Sequence, residues 1–536
     1  MSLPAFLSRA ADAAGPLLGG VDQSEFGERL DRTSVVLRID DATADMTGQR
    51  PGYLLAANLV ARLYPRIGFD APDALAEEAA TLGRSINPGC VIGPPKDGTD
   101  VFELDWTGAG GSARRVRLTA SAYDVFIDGA DNPGPCATPA AMVAAALAVG
   151  ELFRAVFAEM LGEHGREEAE PWSFNLITLG PTGGGPAVCD DVVELGRFHL
   201  AGCGAVGQAV VATLREMPVT GTLVAVDDEQ LDLGNLQRYV LSAAADVDTH
   251  KTELVHRALA DHDLRVEKVK TLWGADQRSS PGQDCVLAAL DSSQGRIELQ
   301  AGLPRELHNG WTQPQDLGVS RHEAFGVAPC LACLYWPTQP RPSETELIAG
   351  ALGEHELRVV LYRQHDHPIG QPLPPEAIVG TGRLSLPDNH PTWAERSLLS
   401  DLIGRYELDA AEWQTYGNVQ VQELYRVRVC AGILLEERDP ARHRDVSVPL
   451  AHQSALAGIL LAVSLLSARD PNLRAARPEA TQTRYDVVTG GLQVLARPRQ
   501  REKNCLCGDP VFAARYATIW PSETAPKAAD DVRDAT

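Results

Sequence analysis

Two hydrophobic periods alternate along this chain. Phe198–Ala201, Thr222–Val226, Val266–Thr271, Cys285–Leu290 and Glu306–Trp311 are short apolar runs bounded by turn residues, which predicts buried strands. Helical patterns separate them, so the sheet they predict is mostly parallel. Upstream, Ser34–Ile39, Cys90–Gly93, Val116–Ala120 and Tyr123–Ile127 predict further strands, and Gly52–Ile67 predicts a helix. Thr138–Leu161 reads as a long, mostly apolar helix, with Thr138 suited to the N-cap and Pro139 to the first helical position. Residues 162–188 are rich in charge, Gly and Pro and read as a surface linker.

A proline-rich break at Pro337–Pro342 opens an insertion over residues 343–445. Its pattern predicts helices at Glu344–Leu352 and Thr392–Tyr406, a strand at Arg358–Tyr362, and a strand at Gln420–Val429 that ends at Cys430. Val446–Leu466 then reads as a buried helix and Val487–Leu495 as strand. The expected layout is an α/β domain over 1–170, and a second α/β domain made of 185–342 and 446–510. The insertion interrupts the second domain, and 521–536 is a small, polar, disordered tail.

Composition narrows the function classes. A net charge of −24 argues against a nucleic-acid partner, which calls for a basic field. The longest apolar run, Ala455–Leu466, falls well short of the roughly 20 residues of a membrane span. The N-terminus has no apolar core behind a basic start, and ten cysteines without such a leader point to a reducing cytoplasm.

The chemistry concentrates between Phe198 and Leu259. The predicted strand Phe198–Ala201 runs into Gly202-x-Gly204-x-x-Gly207 and then a helix. Such a turn lets backbone amides approach phosphates at a helix N-terminus. Asp227 closes the next strand about 20 residues past the last glycine, where a carboxylate holds ribose hydroxyls. Alone this motif is weak, because nicotinamide and flavin sites share it. Asn235, Arg238 and Lys251 sharpen it. A redox site has no need of them, whereas a triphosphate needs cations where charge develops.

Asp227-x-Glu229, Asn235-x-x-Arg238, Lys251, the strand-end Asp291 with Arg296 five residues on, and the cysteine pairs Cys330/Cys333 and Cys505/Cys507 together resemble the ubiquitin-activating enzyme (ThiF/MoeB-like) superfamily. The resemblance covers residues 185–336 well and 446–508 loosely. It implies a Rossmann-like adenylation domain preceded by a degenerate, pseudo-adenylation α/β domain, which gives an internal pseudo-dimer or a homodimer. Gly202, Gly204, Gly207, Asp227, Glu229 and Asn235 would bind ATP, Arg238 and Lys251 would contact the β and γ phosphates, and Asp291 would hold Mg²⁺. Aspartate is usual in that family where Glu229 stands here. Partner halves there supply an arginine to the site, for which Arg9, Arg29 and Arg32 are the candidates.

Cys330 and Cys333 have zinc-knuckle spacing, and Cys505 and Cys507 complete a tetrahedral structural Zn²⁺ set, although their CxC spacing departs from the family's second CxxC. The alternative is four reduced thiols. Cys430 is the candidate nucleophile. It lies between the two cysteine pairs, where the resembled family carries its thioester cysteine. Ala431 and Gly432 leave it sterically open, and Arg426 and Arg428 favour its thiolate. The alternative is a buried strand-end cysteine.

The resemblance implies adenylation of the C-terminal carboxylate of a ubiquitin-like protein, thioester formation on Cys430 and transfer to a conjugating enzyme. The size and the insertion resemble the activating enzymes of bacterial ubiquitination-like antiphage operons. One alternative is a sulfur-carrier or peptide adenylyltransferase without a thioester. Another is a nicotinamide-binding oxidoreductase, which leaves Arg238, Lys251 and the cysteine pairs unexplained.

Overall fold

A computed structural model gives the fold. It describes residues 7–15, 17–18, 23–107, 114–129, 133–188, 191–274, 282–313, 316–323, 325–336, 344–379, 390–406, 408–425, 449–478, 482–486, 493–497, 500–502 and 504–521. The chain divides into two compact units, residues 1–336 with 448–536, and residues 337–447.

The larger unit contains two sheets. The first has seven strands: β1 (Thr33–Arg38), β2 (Arg66–Asp70), β3 (Val91–Ile92), β4 (Asp100–Asp105), β5 (Arg115–Ser121), β6 (Asp124–Ile127) and β7 (Trp172–Asn175), in the order β3-β2-β1-β4-β5-β6-β7. The second has eight: β8 (Val193–Ala201), β9 (Val219–Val226), β10 (Leu264–Val269), β11 (Cys285–Ala288), β12 (Glu306–Thr312), β13 (Asp316–His322), β14 (Gln482–Asp486) and β15 (Gln493–Arg497), in the order β10-β9-β8-β11-β12-β13-β14-β15. In both sheets the first five strands pair in parallel and the rest are antiparallel. The two halves therefore repeat one strand order, although their sequences show no repeat.

Helices join the halves. In the first half, α1 (Leu7–Ala14) and α2 (Gln49–Ala61) precede α3 (Thr138–Val156); in the second, α4 (Ala205–Arg215) and α5 (Lys251–Ala258) precede α6 (Ala451–Arg469). Helices α3 and α6 are each 19 residues and long and apolar enough to cross a membrane, yet they are 100% and 94% buried inside the protein. They are core helices, each laid on its own sheet and packed on the other. Glycines allow the close approach. A Cβ on Gly52 of α2 would stand 2.8 Å from Ala141 O of α3, and one on Gly458 of α6 would collide with Ala209 and the carbonyl of Val206 in α4. One hydrophobic cluster runs from Ala10 through Phe153 and Val210 to Leu466, so both halves share a core.

Several expectations change. The Gly52–Ile67 helix ends at Ala61 and β2 begins at Arg66, because Ile67 pairs with Val35 at the centre of the sheet. The expected linker 162–188 contributes β7, which pairs antiparallel with β6. The N-cap of α3 is Ala137, one residue before Thr138.

In the smaller unit, Arg358–Tyr362 is helical, within Glu356–Gln364. Val359 and Tyr362 pack with Ile348, Leu352, Trp393 and Leu402, and Arg358 is buried between Glu354 and Asp401 at 3.2 and 2.7 Å. This packing outweighs the strand preference of the β-branched run. Gln420–Val429 begins as a helical turn, Val421–Leu424, rather than a strand. Thr392–Tyr406 divides into a 3₁₀ turn, His390–Ala394, and a helix, Leu398–Tyr406. Cys430, Arg426, Arg428 and the tail beyond residue 521 lie outside the described residues.

Candidate active site

The glycine turn sits at the C-terminal end of β8, where open parallel sheets bind ligands. Gly202 adopts φ +93°, and a Cβ there would lie 2.7 Å from Ala289 O. A Cβ on Gly207 would collide with the carbonyl of Gly202. Only glycine lets the turn cross the end of β11 and lets α4 start so close beneath it. Gly204 is the N-cap of α4, so that helix directs its free amides to the turn.

Asp227 fastens the next strand to this turn. Its carboxylate accepts from the Cys203 amide at 2.7 Å and the Glu229 amide at 2.9 Å. Burial raises its pKa above the ordinary value, while Lys251 and the two amides pull the other way. Cys203 is fully buried, and burial followed by the charge of Asp227 lifts its thiol well above the usual range. It is no nucleophile.

Residues 232–242 form the wall opposite. Asp232 caps a 3₁₀ turn, Leu233–Gln237, through the Gly234 amide at 2.8 Å, and Asn235 Oδ1 accepts the Asp232 amide at 3.1 Å. The side-chain oxygen of Asn235 is thus spent on the turn, and its NH₂ group is what remains for a ligand. Arg238 follows at the C-cap, half-buried and 5.6 Å over the ring of Tyr239. Lys251 stands 5.3 Å over the same ring and pairs with Glu229. Burial opposes the charge on Lys251, but Tyr239, Asp227 and Glu229 outweigh it and hold the ammonium above its ordinary range. The Tyr239 hydroxyl lies 3.2 Å from where a Gly204 Cβ would be. Tyr239 therefore links both cations to the glycine turn. Sequence reasoning passed over it, although it directly follows Arg238.

Asp291 is exposed just past β11, two residues before helix Ser293–Ala301, which Ser292 caps through the Gly295 amide at 3.0 Å. Its oxygens suit a hydrated Mg²⁺. Arg296 plays a different part. It is buried, donates to Asn309 Oδ1 at 2.9 Å and Gly310 O at 3.0 Å, and lies over Tyr335. It braces β12. Of the candidate arginines in the first half, Arg29 is committed to Val156 O and Asp100 at 2.6 and 2.8 Å, and Arg32 is exposed beside Glu28. The Arg9 side chain lies outside the described residues, though its helix α1 packs on the Leu233–Gln237 turn.

The four cysteines meet. Cys330 lies 3.9 Å from Cys333 and 3.5 Å from Cys505, Cys333 lies 3.5 Å from Cys507, and all four are buried. Tetrahedral Zn–S bonds of about 2.3 Å set sulfurs roughly 3.8 Å apart, so this donor set fits zinc. Hydrogen bonds from Cys330, Cys333 and Cys505 drive the Cys507 thiol well below its ordinary range. The CxC spacing is no obstacle, because a 3₁₀ turn at Leu506–Gly508 presents both late sulfurs to one point.

A cavity of about 540 Å³ lies elsewhere. Arg197, Arg305, Glu306 and Arg469 line it at the edge where β8, β11 and β12 begin, the opposite end of these strands from the glycine turn.

Residues 185–507, more than half of the chain, match the ThiF family. Over 549 aligned residues the chain is 29% identical to the uncharacterized protein y4jF of Sinorhizobium fredii, covering 98% of this chain and 99% of that protein. Among solved structures it is similar to E. coli MccB with ATP, at 11% identity over 74% of this chain and 99% of that one, with a TM-score of 0.34. It is also similar to E. coli tRNA N6-threonylcarbamoyladenosine dehydratase, TcdA, in complex with ATP, at 22% identity over 20% of this chain and 45% of that one, with a TM-score of 0.18.

Proposed function

Because this chain belongs to the ThiF family of ATP-dependent adenylyltransferases, we propose that it activates the C-terminal carboxylate of a ubiquitin-like protein. The observation that carries this reading is the meeting of Arg238 and Lys251 over Tyr239 beside the Gly202–Gly207 turn.

In this mechanism the acceptor carboxylate attacks the α-phosphorus of ATP. The P–O bond to the β-phosphate breaks, and its electron pair leaves with pyrophosphate. A carboxylate is already ionised at neutral pH, so no general base is required. The α4 N-terminus and the turn amides position the phosphates, Asp227 takes the ribose, and Arg238 and Lys251 neutralise the charge that develops on the leaving group. Mg²⁺ at Asp291 would add Lewis-acid charge to the phosphate oxygens. Zn²⁺ at the four cysteines would have a structural role. Cys430 then displaces AMP from the acyl-adenylate, carries the protein as a thioester and passes it to a conjugating enzyme. We place the reaction in the cytoplasm of a bacterium, in a ubiquitination-like antiphage system.

A charging assay tests this. The protein is incubated with Mg-ATP and the ubiquitin-like protein encoded beside it, then resolved with and without reductant. A thiol-sensitive adduct is expected for the wild type and for neither Cys430→Ala nor Asp291→Ala. Pyrophosphate exchange without any adduct would make the protein an adenylyltransferase that forms no thioester. Bound NAD without exchange would overturn adenylation itself.

A further inference from the structure

The turn that carries Asn235 and Arg238 is held from behind by the other half of the molecule. Arg62, at the C-cap of α2, is about as buried as a side chain can be, at 1% exposure. Its guanidinium donates to the carbonyl of Leu236, to Ser242 O at 2.9 Å and to Asn58 Oδ1 at 2.8 Å. Asn58, one turn earlier, donates in turn to Val240 O at 2.9 Å. Three carbonyls that bracket Arg238 are thus fixed by two side chains from the first half. On the near side Gln208 of α4 accepts from the Leu241 amide and the Ser242 hydroxyl, both at 3.0 Å.

This arrangement is costly. Among the described residues no carboxylate pairs with Arg62, and burial pushes its pKa down to about 9. A buried cation balanced only by carbonyls and the negative end of its own helix is an expensive way to stabilise a fold. Such a local conflict marks a place where geometry matters more than stability. Arg238 and Tyr239 ride on this backbone, so a shift of the 236–242 segment would carry both away from the glycine turn.

We propose that Arg62, with Asn58, is a positioning residue for ATP. It touches no substrate and acts by locking the backbone of residues 236–242, so that Arg238 and Tyr239 are preset against the glycine turn. The first half then serves the ATP site through main-chain hydrogen bonds. This inference rests on the assignment of Arg238 to ATP.

The test is a double-mutant cycle on Mg-ATP affinity, measured by isothermal titration on the full chain, with no acceptor needed. The variants are Arg62→Met, which keeps the volume, Asn58→Ala, Arg238→Ala and the two combinations with Arg238→Ala. Leu118→Ala in β5 loosens the same half away from the turn and serves as the stability control. Arg62→Met is expected to weaken ATP binding roughly 10- to 100-fold. It should have little further effect once Arg238 is gone, since a positioning residue acts through the group it positions. Leu118→Ala should keep its affinity. An unchanged dissociation constant in Arg62→Met overturns the proposal, as does a loss that adds in full to that of Arg238→Ala. Should Arg62→Met not fold, Asn58→Ala decides by the same criteria. Normal binding by Arg238→Ala would instead refute the assignment of Arg238 to ATP.

Discussion

Lys251 and Tyr239 meet as cation and ring, the ammonium 5.3 Å from the ring centroid, with Arg238 over the same ring at 5.6 Å. Two like charges over one aromatic ring suit an anion that binds both. Tyr239→Leu removes the shared platform and leaves both charges. It is expected to weaken ATP binding about tenfold or more, given about 0.5–2 kcal/mol for a cation–π contact, the higher figure for a desolvated one such as that of Lys251. Tyr239→Phe keeps the ring and is expected to stay near wild type. Titration of ATP into the three proteins checks this; equal losses in both variants would assign the effect to the hydroxyl.

Glu229 competes with phosphate for Lys251, since the two are ion-paired here. Glu229 is 67% exposed, so solvent screens its end of the pair, and Asp227 remains beside Lys251 when the Glu229 charge is removed. Glu229→Gln is expected to leave the melting temperature within a degree or two and to change the ATP dissociation constant severalfold. Loss of folding would assign Glu229 to the scaffold.

Metal removal separates zinc from four reduced thiols. Zinc is expected at one equivalent per chain by elemental analysis, lost from Cys333→Ser together with several degrees of melting temperature. A chelator should lower the wild-type melting temperature toward that of the variant. A metal-free protein that melts normally would leave the cysteines as packing residues.

Glu306 gives the acid limb. Burial would raise its pKa, but hydrogen bonding to His308 at 2.8 Å and the charges of His308 and Arg469 override burial and hold it at about 2, against 4.5 when free. A depressed carboxyl stabilises the fold fully above the unfolded value and loses that contribution as pH falls from 4.5 through about 2. The contribution is up to about 3 kcal/mol at neutral pH. Glu306→Gln is expected to unfold at lower urea at pH 7, with the gap to wild type closing across that acid window. A constant gap would show that the carboxylate charge is not the cause.

Gly458 poses helix propensity against packing. Alanine in a helix is worth about 1 kcal/mol over glycine. Here the added methyl collides with Ala209 and the Val206 carbonyl and stands 3.0 Å from the Val210 amide. Overpacking of this kind costs about 1–3 kcal/mol, so Gly458→Ala is expected to lower the melting temperature. A rise would mean that α4 and α6 separate easily.

The parallel part of the second sheet was legible in the sequence because its strands are apolar runs bounded by turn residues and its chemistry sits in one local motif. Its five parallel strands are present, shifted by a few residues at the ends. Strands β13 and β14 were not anticipated, and of the expected strand Val487–Leu495 only 493–495 lie among the described residues, in β15. The strands that escaped notice in the first half, β2, β4 and β7, are short or mix polar with apolar positions. Their pairing is decided by neighbours distant in sequence. Arg358–Tyr362 misled for the converse reason, since a helical core partner overrides local preference. At the site, the glycines, Asp227, Arg238 and Lys251 come together as their spacing implied. Tyr239, Gln208 and Arg62 did not stand out, because nothing in a linear string marks a ring between two cations or a bond spanning 174 positions.

The packing of α3 on α6 has one further consequence. Residues Gly150 and His452, which touch across it, lie on one covalent chain, a Cβ on the first standing 3.3 Å from the ring of the second. Two separate subunits would part on dilution, at a threshold set by their affinity. Here the tether fixes the local concentration of each half for the other, whatever the amount of enzyme in solution. Turnover per molecule is therefore indifferent to how scarce the protein becomes, as far as contact between these halves governs it, and their ratio is fixed at one to one by translation itself.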